Sequence, residues 1–163
     1  MTKPSRLLEK LAQHCFSTDG QAATAFLEAV TAPRERTSAL VWLTPRPSEE
    51  PFPILPPLDW QPDFVDRVPA ESKPGQHELH DVGAFYIMDF SSVFAASAVR
   101  TVATLDQRRP PRMLDVCSAP GGKAIFAVRA LNPHQIICNE VTRKRCKALI
   151  SNLTRCQIAN TSV

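Results

Sequence analysis

Glycine is scarce in this chain of 163 residues: there are 5, against 15 prolines. So few glycines leave few places for tight positive-φ turns, and the adjacent pair Gly121-Gly122 therefore stands out. A GxGxxG run is absent, which removes the dinucleotide fingerprint. Cysteine pairs at CxxC spacing are absent too. Cys15, Cys117, Cys138, Cys146 and Cys156 are odd in number and scattered, so they read as reduced, mostly buried thiols of a cytoplasmic protein, not as a zinc or redox site. No apolar run is long enough to span a bilayer. The N-terminal stretch MTKPSRLLEKLAQHCF lacks the continuous apolar core of a secretory signal, and Glu9 inside it argues against an organelle-targeting helix. Strong charge imbalance is missing as well. The 19 Lys and Arg against 16 Asp and Glu give +3, which is compatible with a nucleic-acid partner without requiring one.

What is present is an apolar fraction of 44%, enough to exclude disorder on composition. Leu7, Leu8 and Leu11 fall at helical spacing within residues 4–14. Ala22, Ala23, Phe26 and Val30 do so within 19–30, with Asp19 or Ser17 as N-cap. SALVWL (38–43) reads as a buried strand. From Pro45 to Pro74 the density of proline excludes a regular helix or a central strand. It predicts an irregular connector pinned by Phe52, Leu55, Trp60 and Phe64. GAFYIMDF (83–90) is an extended segment, and SSVFAASAVRTVATL (91–105) a helix whose apolar face is Phe94, Ala95, Ala98, Val99 and Val102.

From residue 113 the pattern alternates. MLDVC (113–117) is a strand, AIFAVRAL (124–131) a helix, QIICNE (135–140) a strand, and 142–155 a helix with Cys146, Leu149, Ile150 and Leu153 on one face. IANTSV approaches a third strand. This β-α-β-α-β order is the start of a doubly wound α/β domain.

Asp115 to Lys123 carries the chemistry. In open α/β sheets ligands sit beyond the carboxyl ends of the strands. There, Gly121 and Gly122 permit close backbone approach, Pro120 stiffens the turn, and the next helix offers free N–H groups. A Walker loop would need Gly where Cys117 stands and Ser or Thr where Ala124 stands. A cysteine-phosphatase loop would need Arg in place of Lys123. The plain alternative is a tight turn that only joins strand to helix. Glu140 ends the second strand, about 20 residues past the turn, where an acid can accept hydrogen bonds from a ribose. Its plain alternative is a surface cap of the following helix.

LDVCSAPGGKA resembles the cofactor motif of the Nop/Sun (RsmB/RsmF-type) family of RNA 5-methylcytosine methyltransferases, usually written Cys-Ala-Ala-Pro-Gly-Gly-Lys-Thr. Ser118 and Ala124 are small departures from it. GAFYIMDFSSVFAA is similar to the segment that precedes the family's cofactor domain. NEVTRKRCKALISNLTRCQIAN is similar to its second strand and helix, with Arg145, Leu149, Asn152 and Arg155 at the expected intervals. The resemblance covers residues 80–160 well and 1–79 loosely.

It implies a Rossmann-like class I methyltransferase domain over 80–163, present in its first half, after a small α+β N-terminal region (1–79) that is RNA-facing. It implies S-adenosylmethionine as cofactor, held by Cys117, Ser118, Ala119, Pro120, Gly121, Gly122, Lys123, Glu140 and Arg145. The partner is RNA, specifically rRNA, and neither membrane nor metal is expected. In the family a cysteine of a later motif attacks carbon 6 of the cytosine, which must be unstacked to react. That nucleophile is expected beyond Val163, so no catalytic residue is assigned and Cys117 is not promoted to the role. The chain by itself is then an inactive N-terminal fragment with an open strand edge. The rival is a noncatalytic cofactor- or RNA-binding remnant, or a half-domain completed by a partner chain. Arg108, Arg109, Arg112, Arg143, Lys144, Arg145 and Lys147 read either as an RNA-facing rim or as a solvated surface. His77 and His80 read as surface histidines of a polar loop.

Overall fold

The computed structural model describes residues 4–32, 37–103 and 111–163, with Val102 and Ala103 as backbone only. The chain divides into two compact units, residues 1–35 and 36–163. The first is a helical pair. Helix α1 (Arg6–Cys15) is capped by Ser5 and α2 (Gly20–Thr31) by Asp19, whose carboxylate accepts from the Ala22 N–H at 2.9 Å. Phe16 and Phe26 meet between them at 5.6 Å. Leu7 and Val30 do not join this contact and stay exposed; two short helices offer too little facing surface to cover every apolar position.

In the second unit, β1 (Thr37–Trp42) lies between β2 (Val65–Pro69) and β3 (Phe85–Asp89) in an antiparallel sheet of order β2-β1-β3. Period-2 alternation sorts its side chains. Ala39, Val41, Val65 and Tyr86 join the larger core, while Leu40, Trp42, Val68 and Phe85 face Phe52 of the connector. β2 corrects the expectation of a wholly irregular connector. The six residues between Pro62 and Pro69 are free of proline, and the strand they form is at an edge, where a terminal proline is tolerated. Its pattern was hidden by Asp66, a buried acid among the apolar positions.

Helix α3 (Glu78–Asp81) follows, capped by the His77 ring, whose Nδ1 accepts from the Leu79 N–H at 3.1 Å. His77 also packs against Phe52, and His80 lies half-buried near Phe85. These histidines are therefore structural parts of a helical turn and not members of a polar loop.

Helix α4 (Phe90–Ala103) leads from the antiparallel sheet toward a second, parallel one of order β4-β5-β6: β4 (Arg112–Asp115), β5 (Gln135–Cys138) and β6 (Thr161–Ser162). Helices α5 (Gly122–Leu131) and α6 (Arg143–Arg155) make the crossovers. This is the first part of a doubly wound α/β domain, as its periodicities predict. Ala124, Ile125, Phe126 and Ala127 of α5 are all buried, as are Leu149 and Leu153 of α6.

Three side-chain expectations fail. Ile150 is exposed, so the buried stripe of α6 is narrower than read. In α4 the core side is Val93 and Ala96, whereas Phe94, Ala95 and Ala98 are exposed and Val99 is half-buried; the Val102 side chain lies outside the described set. A helix apolar nearly all round presents two stripes at 3.6 spacing, and periodicity alone cannot choose between them. The thiols also divide: Cys138 and Cys156 are buried, Cys146 is intermediate, and Cys15 and Cys117 are exposed. Among the described residues no helix is long and apolar enough to cross a membrane.

Candidate cofactor site

The two parallel strands β4 and β5 end side by side, and their ends are tied. The Asn139 N–H donates to the Asp115 carbonyl (2.8 Å), the Ser118 N–H to the Asn139 carbonyl (2.9 Å), and Asn139 Nδ2 to the Val116 carbonyl (2.9 Å). The loop then turns through Ala119-Pro120 to Gly121, whose N–H closes on the Ser118 carbonyl at 2.7 Å. Gly121 sits at φ 111° and N-caps α5, a conformation that L side chains resist. A Cβ there would meet Leu149 Cδ1 at 3.2 Å, and one on Gly122 would meet the Tyr86 ring at 3.2 Å. Both positions are tight for a side chain, and Gly121 is favoured as glycine by conformation as well.

Helix α6 lies against this loop. Arg145 Nη2 donates to the Ala119 carbonyl (2.8 Å) and Asn152 Nδ2 to the Pro120 carbonyl (2.9 Å). Glu140 stands where β5 gives way to α6, with its side chain 3% exposed. One carboxylate oxygen accepts from the Thr142 N–H at 2.9 Å, and the other faces Arg145 Nη1 at 3.1 Å. The Thr142 amide first, and then the Arg145 charge, hold this carboxyl below the usual glutamate range. Glu140 thus serves both the start of α6, through Oε1 and the Thr142 N–H, and the loop side, where the buried Oε2 pairs with Arg145.

Asp115 closes β4 with Oδ1 accepting from the Cys117 N–H at 3.3 Å and Oδ2 buried and unpartnered. Sequence reasoning quoted Asp115 in the motif without giving it a role. Its position as last residue of the first strand was the available signal. A cavity of about 210 Å3 adjoins the loop, lined by Tyr86, Met88, Asp89, Ser92, Pro120 and Lys123 among others. Its wall from β3 and the start of α4 was also missed, because nothing local marks those residues. Asp89 is held below the usual aspartate range by the N–H and hydroxyl of Ser91. A wider groove of about 570 Å3, beside Trp60, Phe94 and Arg100, contains none of the site residues.

The structure brings Ser118 to Lys123, Glu140 and Arg145 into one neighbourhood at the strand ends. Cys117 is exposed on the same loop. Burial pushes the Cys138 and Cys156 thiols up, away from thiolate chemistry. Arg112, Arg143, Lys144 and Lys147 are exposed, and Arg108 and Arg109 lie outside the described residues. No group of three or more His, Cys, Asp or Glu side chains suited to a metal occurs among the described residues.

Comparison with known proteins agrees with this geometry. Residues 102–163 match the family model described as 16S rRNA methyltransferase RsmB/F. The chain is 34% identical over 113 residues to ribosomal RNA small subunit methyltransferase F of Salmonella paratyphi B and of Salmonella newport, which is 67% of this chain and 23% of each relative. The chain therefore spans about a quarter of the length of these relatives. A methyltransferase homolog protein from Pyrococcus horikoshii superposes with a TM-score of 0.67 at 16% identity, over 98% of this chain and 56% of that one. The crystal structure of PH0851 gives 0.71 at 15% identity, over 99% and 39%. At these identities the two structures establish the fold.

Proposed function

Residues 102–163 belong to the RsmB/F methyltransferase family, and from that premise we propose that the chain forms the S-adenosylmethionine-binding half of an enzyme that methylates carbon 5 of cytosine in ribosomal RNA. The observation that carries the reading is the Glu140 carboxylate, sealed at the end of β5 beside the Gly121-Gly122 turn.

The residues fit such a cofactor. Asp115 Oδ2 is a buried acceptor without a hydrogen-bond partner, which is costly, and Glu140 Oε2 is buried in an ion pair with Arg145 Nη1 at 3.1 Å. The two hydroxyls of a ribose supply donors. Gly121 and Gly122 let the loop pack tightly on Leu149 of α6 and on the Tyr86 ring. No side chain caps the N-terminus of α5, and the N–H groups of a first helical turn favour a carboxylate or another electron-rich group. When bound, S-adenosylmethionine supplies a methyl group activated on a sulfonium. Arg145 acts within the chain by holding both the Ala119 carbonyl and Glu140. Arg143, Lys144 and Lys147, exposed on the first turns of α6, are suited to RNA phosphates, which would make RNA binding fall with salt.

A second reading has its own support. β4 is an edge strand of its sheet among the described residues, and Leu114 and Val116 are more than half exposed. A half-domain completed by a partner chain would cover them. Calorimetric titration of the chain with S-adenosylmethionine tests the cofactor assignment. Binding that Glu140→Ala weakens at least about tenfold supports it, this being the scale of a lost charged hydrogen-bond acceptor. Equal binding by parent and variant removes Glu140 from the site.

A further inference from the structure

We propose that Asn152 is a positioning residue for the cofactor loop, locking the Pro120-Gly121 peptide so that the first turn of α5 keeps one direction toward the ligand. This rests on the cofactor reading above.

The Gly121 backbone is held at φ 111°, yet a glycine has little intrinsic preference for that region over others. A loop that needs one setting therefore requires an outside restraint. Helix α6 supplies it. Arg145, Leu149 and Asn152 stand at i, i+4 and i+7, on one face of that helix. Arg145 takes the Ala119 carbonyl, and Leu149, fully buried, approaches the bare α-carbon side of Gly121. Asn152 Nδ2 takes the Pro120 carbonyl at 2.9 Å. That carbonyl belongs to the peptide plane that enters Gly121, so fixing it fixes the glycine. The opposite edge of the same plane is the Gly121 N–H, bonded to the Ser118 carbonyl. The peptide is thus gripped from both sides, and α5 starts from it.

The orientation of the Asn152 amide follows from its neighbours. On one side is a carbonyl, which can only accept. On the other is Arg155 Nη2, 3.5 Å from Oδ1, which can only donate. Arg155 is held in turn by the His80 carbonyl at 2.6 Å. The role therefore needs a donor at Nδ2, not merely a side chain of that volume.

Aspartate separates the two possibilities, since it has nearly the shape of asparagine and cannot donate when ionised. Parent, Asn152→Asp and Asn152→Ala chains are titrated with S-adenosylmethionine at neutral pH, with thermal midpoints measured alongside. The proposal expects affinity to fall about tenfold or more in Asn152→Asp and less in Asn152→Ala, because a carboxylate facing the Pro120 carbonyl repels it as well as failing to donate. It also expects the Asp-to-parent ratio to recover as pH falls toward about 4, where the introduced carboxyl regains a proton. If the parent binds and Asn152→Asp binds equally well, the cofactor reading stands and the positioning role falls. If affinity tracks the thermal midpoint alone, with Ala worse than Asp, Asn152 is a packing residue and the proposal is overturned. If the parent does not bind, the cofactor reading fails and this inference fails with it.

Discussion

Two residues decide the site. Gly121 carries a positive φ of 111° and has Leu149 Cδ1 3.2 Å from where a Cβ would stand. Gly121→Ala must therefore accept backbone strain and push a fully buried leucine. A cost of about 1–3 kcal/mol follows from the strain, to be read as a lower urea midpoint with unchanged slope. At Glu140 the ionised form is favoured by the Thr142 amide and by Arg145. The stabilising contribution of this depressed carboxyl is present above the ordinary glutamate range and is lost as pH falls through the lower, folded value. S-adenosylmethionine affinity should thus stay flat from neutral pH down through about 4.3 and decline only below. A midpoint above the ordinary glutamate range would show that the Thr142 and Arg145 contacts do not govern the site.

At this scale the Gly121-Gly122 turn and Glu140 stand out in the sequence, the pair because it opens α5 and the acid because it follows the apolar strand β5; their part in cofactor binding is a proposal. The Tyr86–Ser92 wall does not stand out, because it meets the 118–123 loop only in space.

Among the elements, the β4-α5-β5-α6 succession was legible because each strand is a short apolar run closed by turn chemistry and each helix has a regular period. β2 was not, and the reason is Asp66. Its carboxylate accepts from Trp42 Nε1 at 2.6 Å and from Arg46 Nε at 2.7 Å, joining the central strand β1 to β2 and to the chain beyond β1. Only this pairing makes a buried acid tolerable in the middle of a strand. It also raises the Arg46 pKa, chiefly through the hydrogen bond to Asp66. Asp66→Ala leaves a buried indole N–H unmet and should destabilise the second unit by about 1–3 kcal/mol. Most of that belongs to the Trp42 contact, because Arg46 is 40% exposed and exposed pairs contribute little. Asp66→Asn, which still offers Trp42 an acceptor, should cost clearly less in the same denaturation series. Equal losses would assign the effect to the ion pair instead.

Among the described residues of the second unit, the parallel sheet is covered by helices on one face and exposes apolar side chains on the other. Leu114 pairs in register with Ile137 on one face of the sheet, and Val116 follows just past the end of β4. Their exposures of 63%, 46% and 61% mark an apolar surface. Parallel sheets are ordinarily buried on both sides, and an edge such as β4 invites pairing. The parallel pairing was legible from the alternating elements; the particular side chains needed the register. The chain on its own should therefore associate with itself as concentration rises. Leu114→Lys combined with Ile137→Lys should shift sedimentation toward the monomer while leaving S-adenosylmethionine affinity unchanged, since neither side chain touches the loop carbonyls or Glu140. Thermal stability should hold as well, because little buried area is lost. If the double variant still associates, the sheet face is not the contact. The groove beside Trp60 and Phe94 is then the surface to change, and Phe94→Asp, with Phe94 itself 63% exposed, should release the monomer where the lysines did not.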